Sequence, residues 1–306
     1  MVDDEVLRTH QAYYRGDRTE WQRTARLLQS LWRERKGLAP GGSEPHAGST
    51  LAAHETPEVT GSAFVSEDAF AAARKAVETR QRGAVIQQDR LFRNLLSSQP
   101  LCFNLFGRLS EHLDERASAA LARVWPDIAT VTGIHYEWSP GRKDPRFLAN
   151  GTAFDVYVEY DAVDESKRFL GIEVKYHENL EVSPPTVGDR PKEVFAASGT
   201  FADGSFPEMS TGLNAQLLLD HLLALSMNES PDVPREGRFV LLYPAQNTAV
   251  DRVVSTYAPL VVDGSFLPTT LEAVVAALRE EYDEPWVDEL ESRYLGTPDV
   301  GTIGRG

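Results

Sequence analysis

Cysteine is all but missing: Cys102 stands alone in 306 residues. No disulfide can form within the chain and no zinc-finger spacing can be written, which suits a reducing cytosol. The lone thiol sits in the apolar run Leu101-Cys102-Phe103 and reads as an inert packing position rather than a nucleophile. Long apolar runs are missing too. The most apolar window, Leu217 to Leu225, contains Asp220 and His221 and is far too short to span a bilayer. The acidic start Met1-Val2-Asp3-Asp4-Glu5 has no apolar stretch behind it, as a secretory leader would. A cytoplasmic protein with no membrane partner is expected. Neither a Gly-x-x-x-x-Gly-Lys-Ser/Thr phosphate loop nor a Gly-x-Ser-x-Gly elbow occurs, so two large hydrolase classes drop out.

Positive charge is in short supply as well. The net charge of -15 counts against a nucleic-acid binder, whose affinity rests mostly on cations facing phosphates. Distribution matters more than the total. The acids crowd towards the end, from Glu280 to Glu291, whereas basic residues concentrate at Arg15 to Lys36, at Arg74 to Arg93, and at Arg142, Lys143 and Arg146. That last group lies in a Pro/Gly-rich loop and could reach phosphates, or could be a mixed-charge loop with Asp144.

Helical spacing of Trp21, Ala25, Leu28 and Trp32 predicts an amphipathic helix over 18–36, with Asp17 and Glu20 as a capping box. It either packs on the main domain or docks a partner, with Arg23, Arg26, Arg33 and Arg35 outermost; a homodimer or larger assembly through this arm stays open. Residues 37–62 turn to Gly, Pro, Ser, Thr and Ala and are expected to be a flexible linker. The expected organisation is therefore an arm at 1–36, a linker at 37–62 and a domain at 63–306. Within that domain, helices are expected from Ser66 to Arg82, Val85 to Leu96 and Ser110 to Trp125. Strands follow at Ile134 to Trp138, Phe154 to Glu159 and Phe169 to Tyr176, the last two joined as a hairpin. Helix returns at Leu213 to Met227, strand at Phe239 to Tyr243, and helix at Thr248 to Tyr257 and Thr269 to Tyr282. The order implies an α/β arrangement around a mixed sheet.

Strand parity makes one place chemically specific. Phe154, Val156 and Val158 should face one way, leaving Asp155 and Tyr157 on the other; Glu173 and Lys175 share a face opposite Ile172 and Val174. Neighbouring strands would then present an Asp, a Glu and a Lys together. Two carboxylates are costly to hold in a partly buried place unless a cation neutralises them, and oxygen ligands suit Mg²⁺ or Mn²⁺. The Val174 carbonyl is a further candidate ligand. Lys175 could orient an attacking water and stabilise negative charge, and could act as its base only with a depressed pKa. The competing reading is a solvent-facing Asp155 beside an ordinary Glu173–Lys175 ion pair.

Phe154-Asp155 through Gly171-Ile172-Glu173-Val174-Lys175 resembles the core of the PD-(D/E)XK nuclease superfamily, with Phe154 where the label has proline. The runs Leu95 to Gly107, Gly171 to His177, Leu217 to Leu225 and Phe239 to Pro244 resemble a bacterial branch described as restriction-endonuclease-like, over most of residues 64–282. The resemblance implies a restriction-endonuclease-like core, a mixed central sheet flanked by helices behind an N-terminal helical arm. It implies a magnesium-dependent endonuclease with DNA as substrate. RNA cleavage, or a catalytically inactive interaction module on the same fold, are the alternatives. It also implies a carboxylate from the helix before the sheet, Glu111 or Glu115, and a polar residue from the helix after Lys175. For the latter Gln216 is preferred to Asn214, which would suit a helix cap. His177 could touch substrate or be structural. Asn104, set among Leu and Phe residues, should be a buried polar group with local partners.

Overall fold

The computed structural model describes residues 2–178, 186–212, 214–230, 233 and 236–298. The expected helix start at Leu213 and the end of the expected domain at Gly306 lie outside the described residues. Among the described residues seven α-helices precede the sheet: α1 (Asp4–Thr9), α2 (Glu20–Arg35), α3 (Pro57–Thr60), α4 (Glu67–Thr79), α5 (Gln88–Arg93), α6 (Ser98–Glu111) and α7 (Glu115–Val124). Three strands follow, β1 (Ile128–Trp138), β2 (Phe154–Ala162) and β3 (Lys167–Val174), then α8 (Asp189–Ser198), α9 (Phe206–Met209) and α10 (Asn214–Asn228). The chain continues as β4 (Glu236–Tyr243), α11 (Thr248–Tyr257), β5 (Phe266–Thr270), α12 (Leu271–Glu281) and α13 (Pro285–Tyr294).

The strands form one mixed sheet in the order β1-β2-β3-β4-β5. The β1–β2–β3 part is antiparallel, and β4 and β5 add in parallel through helical crossovers. Alternation along β3 and β4 splits the interior in two. Leu170, Ile172, Val174, Val240 and Leu242 pack with α6, α7, α12 and α13 on one face. Phe169, Phe239, Leu241 and Tyr243 pack with α10 and α11 on the other. Phe154 departs from simple parity: it belongs with the second cluster, its ring filling the place where a side chain at Gly171 would stand, 2.4 Å from a Cβ built there. Glycine at 171 is what admits that ring.

Several boundaries differ from the sequence reading. The stretch expected as helix from Ser110 to Trp125 breaks at 112–114, and Asp114 caps α7 through the Ala117 N–H at 2.8 Å. The helix expected at Val85 to Leu96 shrinks to α5. Thr19 with Gln22, not Asp17 with Glu20, forms the capping box of α2. Edge strand β5 holds Pro268, tolerated where no ladder partner is needed. The acidic tail contains α13, whose Trp286, Val287, Leu290 and Tyr294 enter the core. Its acids meet Arg279, Lys36 and the Trp32 indole.

The segment expected as a linker is packed instead. Leu51 is buried among Trp32, Phe64, Leu91 and Phe92, and bridges tie Pro40 to Leu51 and Thr50 to Asn94. A Cβ at Gly48 would lie 2.6 Å from both the His10 carbonyl and Ser30 Oγ, so this glycine serves close approach rather than flexibility. The arginines expected on the outside of α2 are likewise taken up by the chain itself. Arg26 grips Asp17 with bonds of 2.6 and 2.8 Å, and Arg33 holds the carbonyls of Gly48 and Leu38. The remaining two bond Asp4 and Ser292.

Helix α2 also braces the end of β3. Trp21 Nε1 donates to the Tyr176 carbonyl at 2.8 Å, and Gln29 Nε2 donates to the Tyr176 hydroxyl at 2.9 Å. Arg293, fully buried, donates to Gln29 at 2.9 Å and lies over the Trp32 ring. Asn104 proves to be a long-range tie, bonding Tyr294 and the Val65 N–H. Removing residues 1–36 should therefore abolish cooperative folding; a soluble 37–306 fragment with a sharp melting transition would contradict this integration.

On the far face His221 is fully buried between Tyr257 OH at 3.1 Å and Ser265 Oγ at 2.8 Å. Burial, against a weaker pull from Asp263, lowers its pKa from 6.5 to about 3. Below about 6.5 the unfolded chain takes a proton that the folded one refuses, so this contribution is complete above 6.5 and is lost as pH falls towards 3. The loss is on the order of 1.4 kcal/mol per pH unit. Chemical denaturation of wild type and His221→Gln should show a stability gap that narrows from pH 7 to pH 4. A constant gap would contradict the buried neutral imidazole.

Candidate active site

The antiparallel register that pairs Val156 with Ile172 brings the next residues on, Asp155 and Glu173, alongside each other. Beyond that pair the ladder opens, and the Val174 N–H is taken by Asp155 Oδ2 at 2.9 Å. Lys175, just past the end of β3, is fixed by its own N–H to the Leu242 carbonyl at 2.8 Å. Its Nζ donates to Glu173 Oε1 at 2.6 Å and to Gln216 Oε1 at 3.2 Å. Gln216 Nε2 in turn donates to Glu173 Oε1 at 2.7 Å. The amide thus clamps both members of the ion pair, from a helix laid across the sheet.

These residues line an open cleft of about 470 Å³. Among the described residues Glu137, Asp155, Glu173, Glu178 and Asp220 face it, against Arg90 and Lys175. Burial, then the charge of Glu173, push the Asp155 carboxyl well above its usual range, and Lys175 only partly offsets them. Burial also raises Glu137, opposed by the Val85 N–H and Arg142. Burial alone would lower the Lys175 ammonium, but Glu173, by charge and hydrogen bond, and then Asp155 hold it above its ordinary value. In this arrangement Lys175 is held as a charged donor. Cys102 is buried behind the site, and burial followed by the nearby carboxylates raises its thiol well above the ordinary value.

Asp155, Glu173, Lys175 and Gln216 come together at the cleft, while Val174 meets them through its N–H and packs its side chain into the core. Glu111 does not join them. It ends α6, pairs with Lys75 at 3.2 Å and lines a separate cavity beside His135. The start of α6 approaches the cleft through Ser98 and Gln99, so Glu111 lies roughly 18 Å further along the helix axis. Glu115 begins a different helix and is exposed. Asn214 turns away towards the Glu208 carbonyl. Arg142 is mostly buried and holds Gln81 and Glu137 rather than facing outward. Lys143 and Arg146 are exposed, with Arg146 chelating Asp144; the loop's other end, Gly151 to Ala153, lines the cleft. His177 sits 3.1 Å from Asp17, part of the brace to the N-terminal segment.

Sequence reasoning passed over four cleft residues. Glu178 accepts from the Ser98 N–H and hydroxyl at 3.0 and 3.1 Å and from the Tyr176 N–H at 3.2 Å. Arg90 approaches the same carboxylate at 3.4 Å. Glu137 has a positive φ of 48°, a strained conformation for its side chain. Asp220 was visible only as the acid inside an apolar helix.

A family model described as PD-(D/E)XK nuclease superfamily matches residues 15–296. The chain belongs to that superfamily. The match includes α2 and the packed 37–62 segment, in keeping with their place in the fold. Members of the superfamily are generally nucleases and typically use divalent metals. No curated protein and no solved structure matches the chain.

The donor set of this superfamily member suits a hydrated divalent cation. Its acids outnumber its bases at the cleft among the described residues, and burial and then Glu173 push Asp155 up more than Lys175 offsets. Among the described residues no three His, Cys, Asp or Glu side chains are grouped to cage an ion unaided. A hydrated ion of this kind keeps several waters and takes one or two carboxylates, which Asp155 and Glu173 could supply. Asp155→Asn keeps an acceptor for the Val174 N–H and removes the like charge. Because the folded carboxyl titrates above the unfolded one, Asp155 lowers stability as pH rises past the ordinary carboxylate range. The variant should melt a few degrees higher than wild type at pH 7 without metal, by about 2–4 °C per kcal/mol relieved, and the gain should shrink at pH 4. An unchanged or lower melting temperature at pH 7 would contradict the strained pair.

Proposed function

We propose that the chain is a metal-dependent nuclease that hydrolyses phosphodiester bonds in DNA. The observation that carries this reading is the convergence of Asp155, Glu173, Lys175 and Gln216 on the wall of one open cleft. Asp155 and Glu173 would hold Mg²⁺ or Mn²⁺, with the Val174 carbonyl as a further oxygen. Such an ion, when bound, polarises the scissile phosphate and lowers the pKa of a bound water. Lys175, kept protonated by its neighbours, donates to the oxygen on which negative charge grows. Gln216 holds Glu173 and Lys175 in register for that work.

Arg90 on the cleft wall, with Lys143 and Arg146 on the adjoining loop, would meet backbone phosphates. Binding through these few phosphate contacts should weaken as salt is added. Plasmid, single-stranded DNA and RNA, each with Mg²⁺ or Mn²⁺, form the test. Asp155→Ala and Lys175→Ala should each lower DNA cleavage by roughly 100-fold or more. Equal nicking by wild type and both variants would overturn the site. Cleavage confined to RNA would move the substrate. No cleavage of any substrate, with no metal heat in calorimetry, would favour an interaction module.

A further inference from the structure

Helix α10 carries a second polar residue on the cleft side that the sequence pattern did not assign. Asp220 is one helical turn beyond Gln216, so the two share a face about 5–6 Å apart. Its flanking residues, Leu217 to Leu219 and Leu222 to Leu223, are apolar and enter the far-face core or the cleft wall. Asp220 itself lines the cleft, is only 5% exposed, and its Oδ2 is buried with no hydrogen-bond partner. A buried carboxylate oxygen without a partner costs on the order of 1–3 kcal/mol or more, and an apolar residue at this position would avoid that. Its nearest strong fields come from Glu173, Lys175 and Asp155, which ties it to the same centre.

We propose that Asp220 is the third carboxylate through which the chain holds the divalent cation of this site, reaching it through bound water. This rests on the metal-site reading above. A hydrated ion presents water protons outward, and Asp220, which lines the cleft and has an oxygen without a partner, is an acceptor for them. Asp220 thus takes the part that Glu111 was expected to play, from the opposite helix layer. Gln216 and Asp220 together form a polar edge on α10, the first fixing the ion pair and the second fixing the ion's water.

Calorimetry with Mn²⁺ alone on the full chain tests this, alongside melting with and without the ion, for wild type, Asp220→Asn and Asp220→Leu. Both variants should bind Mn²⁺ roughly 10–100-fold more weakly, show a smaller metal-induced rise in melting temperature, and melt no lower than wild type without metal. Two substitutions of different polarity keep the test open if one fails to fold. Unchanged Mn²⁺ affinity in either folded variant would overturn the role of Asp220 and leave the Asp155–Glu173 site standing. A wild type that binds no Mn²⁺ while Asp155→Asn behaves identically would overturn the metal site itself, and Asp220 with it.

Discussion

Two carboxylates are set beside each other where β2 and β3 part, and much of the molecule is organised around that placement. Asp155 and Glu173 repel, and Glu173 alone has a cation bonded to it. Such an arrangement disfavours the folded chain at neutral pH and persists only because the surrounding structure over-determines it. The sheet supplies the register, Gln216 fixes one carboxylate, and the Val174 N–H fixes the other. A cation entering the cleft would release that strain, which links the cost in stability to the chemistry proposed.

The bracing of this centre is distributed over distant parts of the sequence. Tyr176, immediately after Lys175, receives bonds from Trp21, Gln29 and Asn247. Arg293 and Tyr294 close the same knot from the C-terminal helix, reaching Gln29 and Asn104. The N-terminal helix is thereby a wall of the site's support rather than an appendage. A misplacement of about 1 Å at a reacting group can lower a rate by a large factor, so this remote packing bears on function as well as on stability.

The sheet core and the central acid pair were legible in the sequence because period-2 alternation and Glu-x-Lys spacing are local signals. The hairpin from Phe154 to Val174 needed only parity and a turn. Phe154 itself escaped parity because its ring swings over Gly171, a contact with a residue far along the chain. Residues 37–62 were misread for a related reason: glycine and alanine there serve close approach to α2, and composition does not distinguish that use from flexibility. Glu111 was misplaced because which end of α6 meets the cleft depends on how the helix crosses the sheet. Asp220 was seen only as a blemish in an apolar run, since its meaning lies in what it faces.

The roles of Asp155 and Glu173 depend on where a cation binds. Anomalous diffraction from crystals soaked in Mn²⁺ measures this directly. We expect a peak within direct bonding distance, roughly 2 Å, of carboxylate oxygens of both Asp155 and Glu173. A well-occupied peak elsewhere, or none at saturating Mn²⁺ in crystals whose cleft is open, would contradict it.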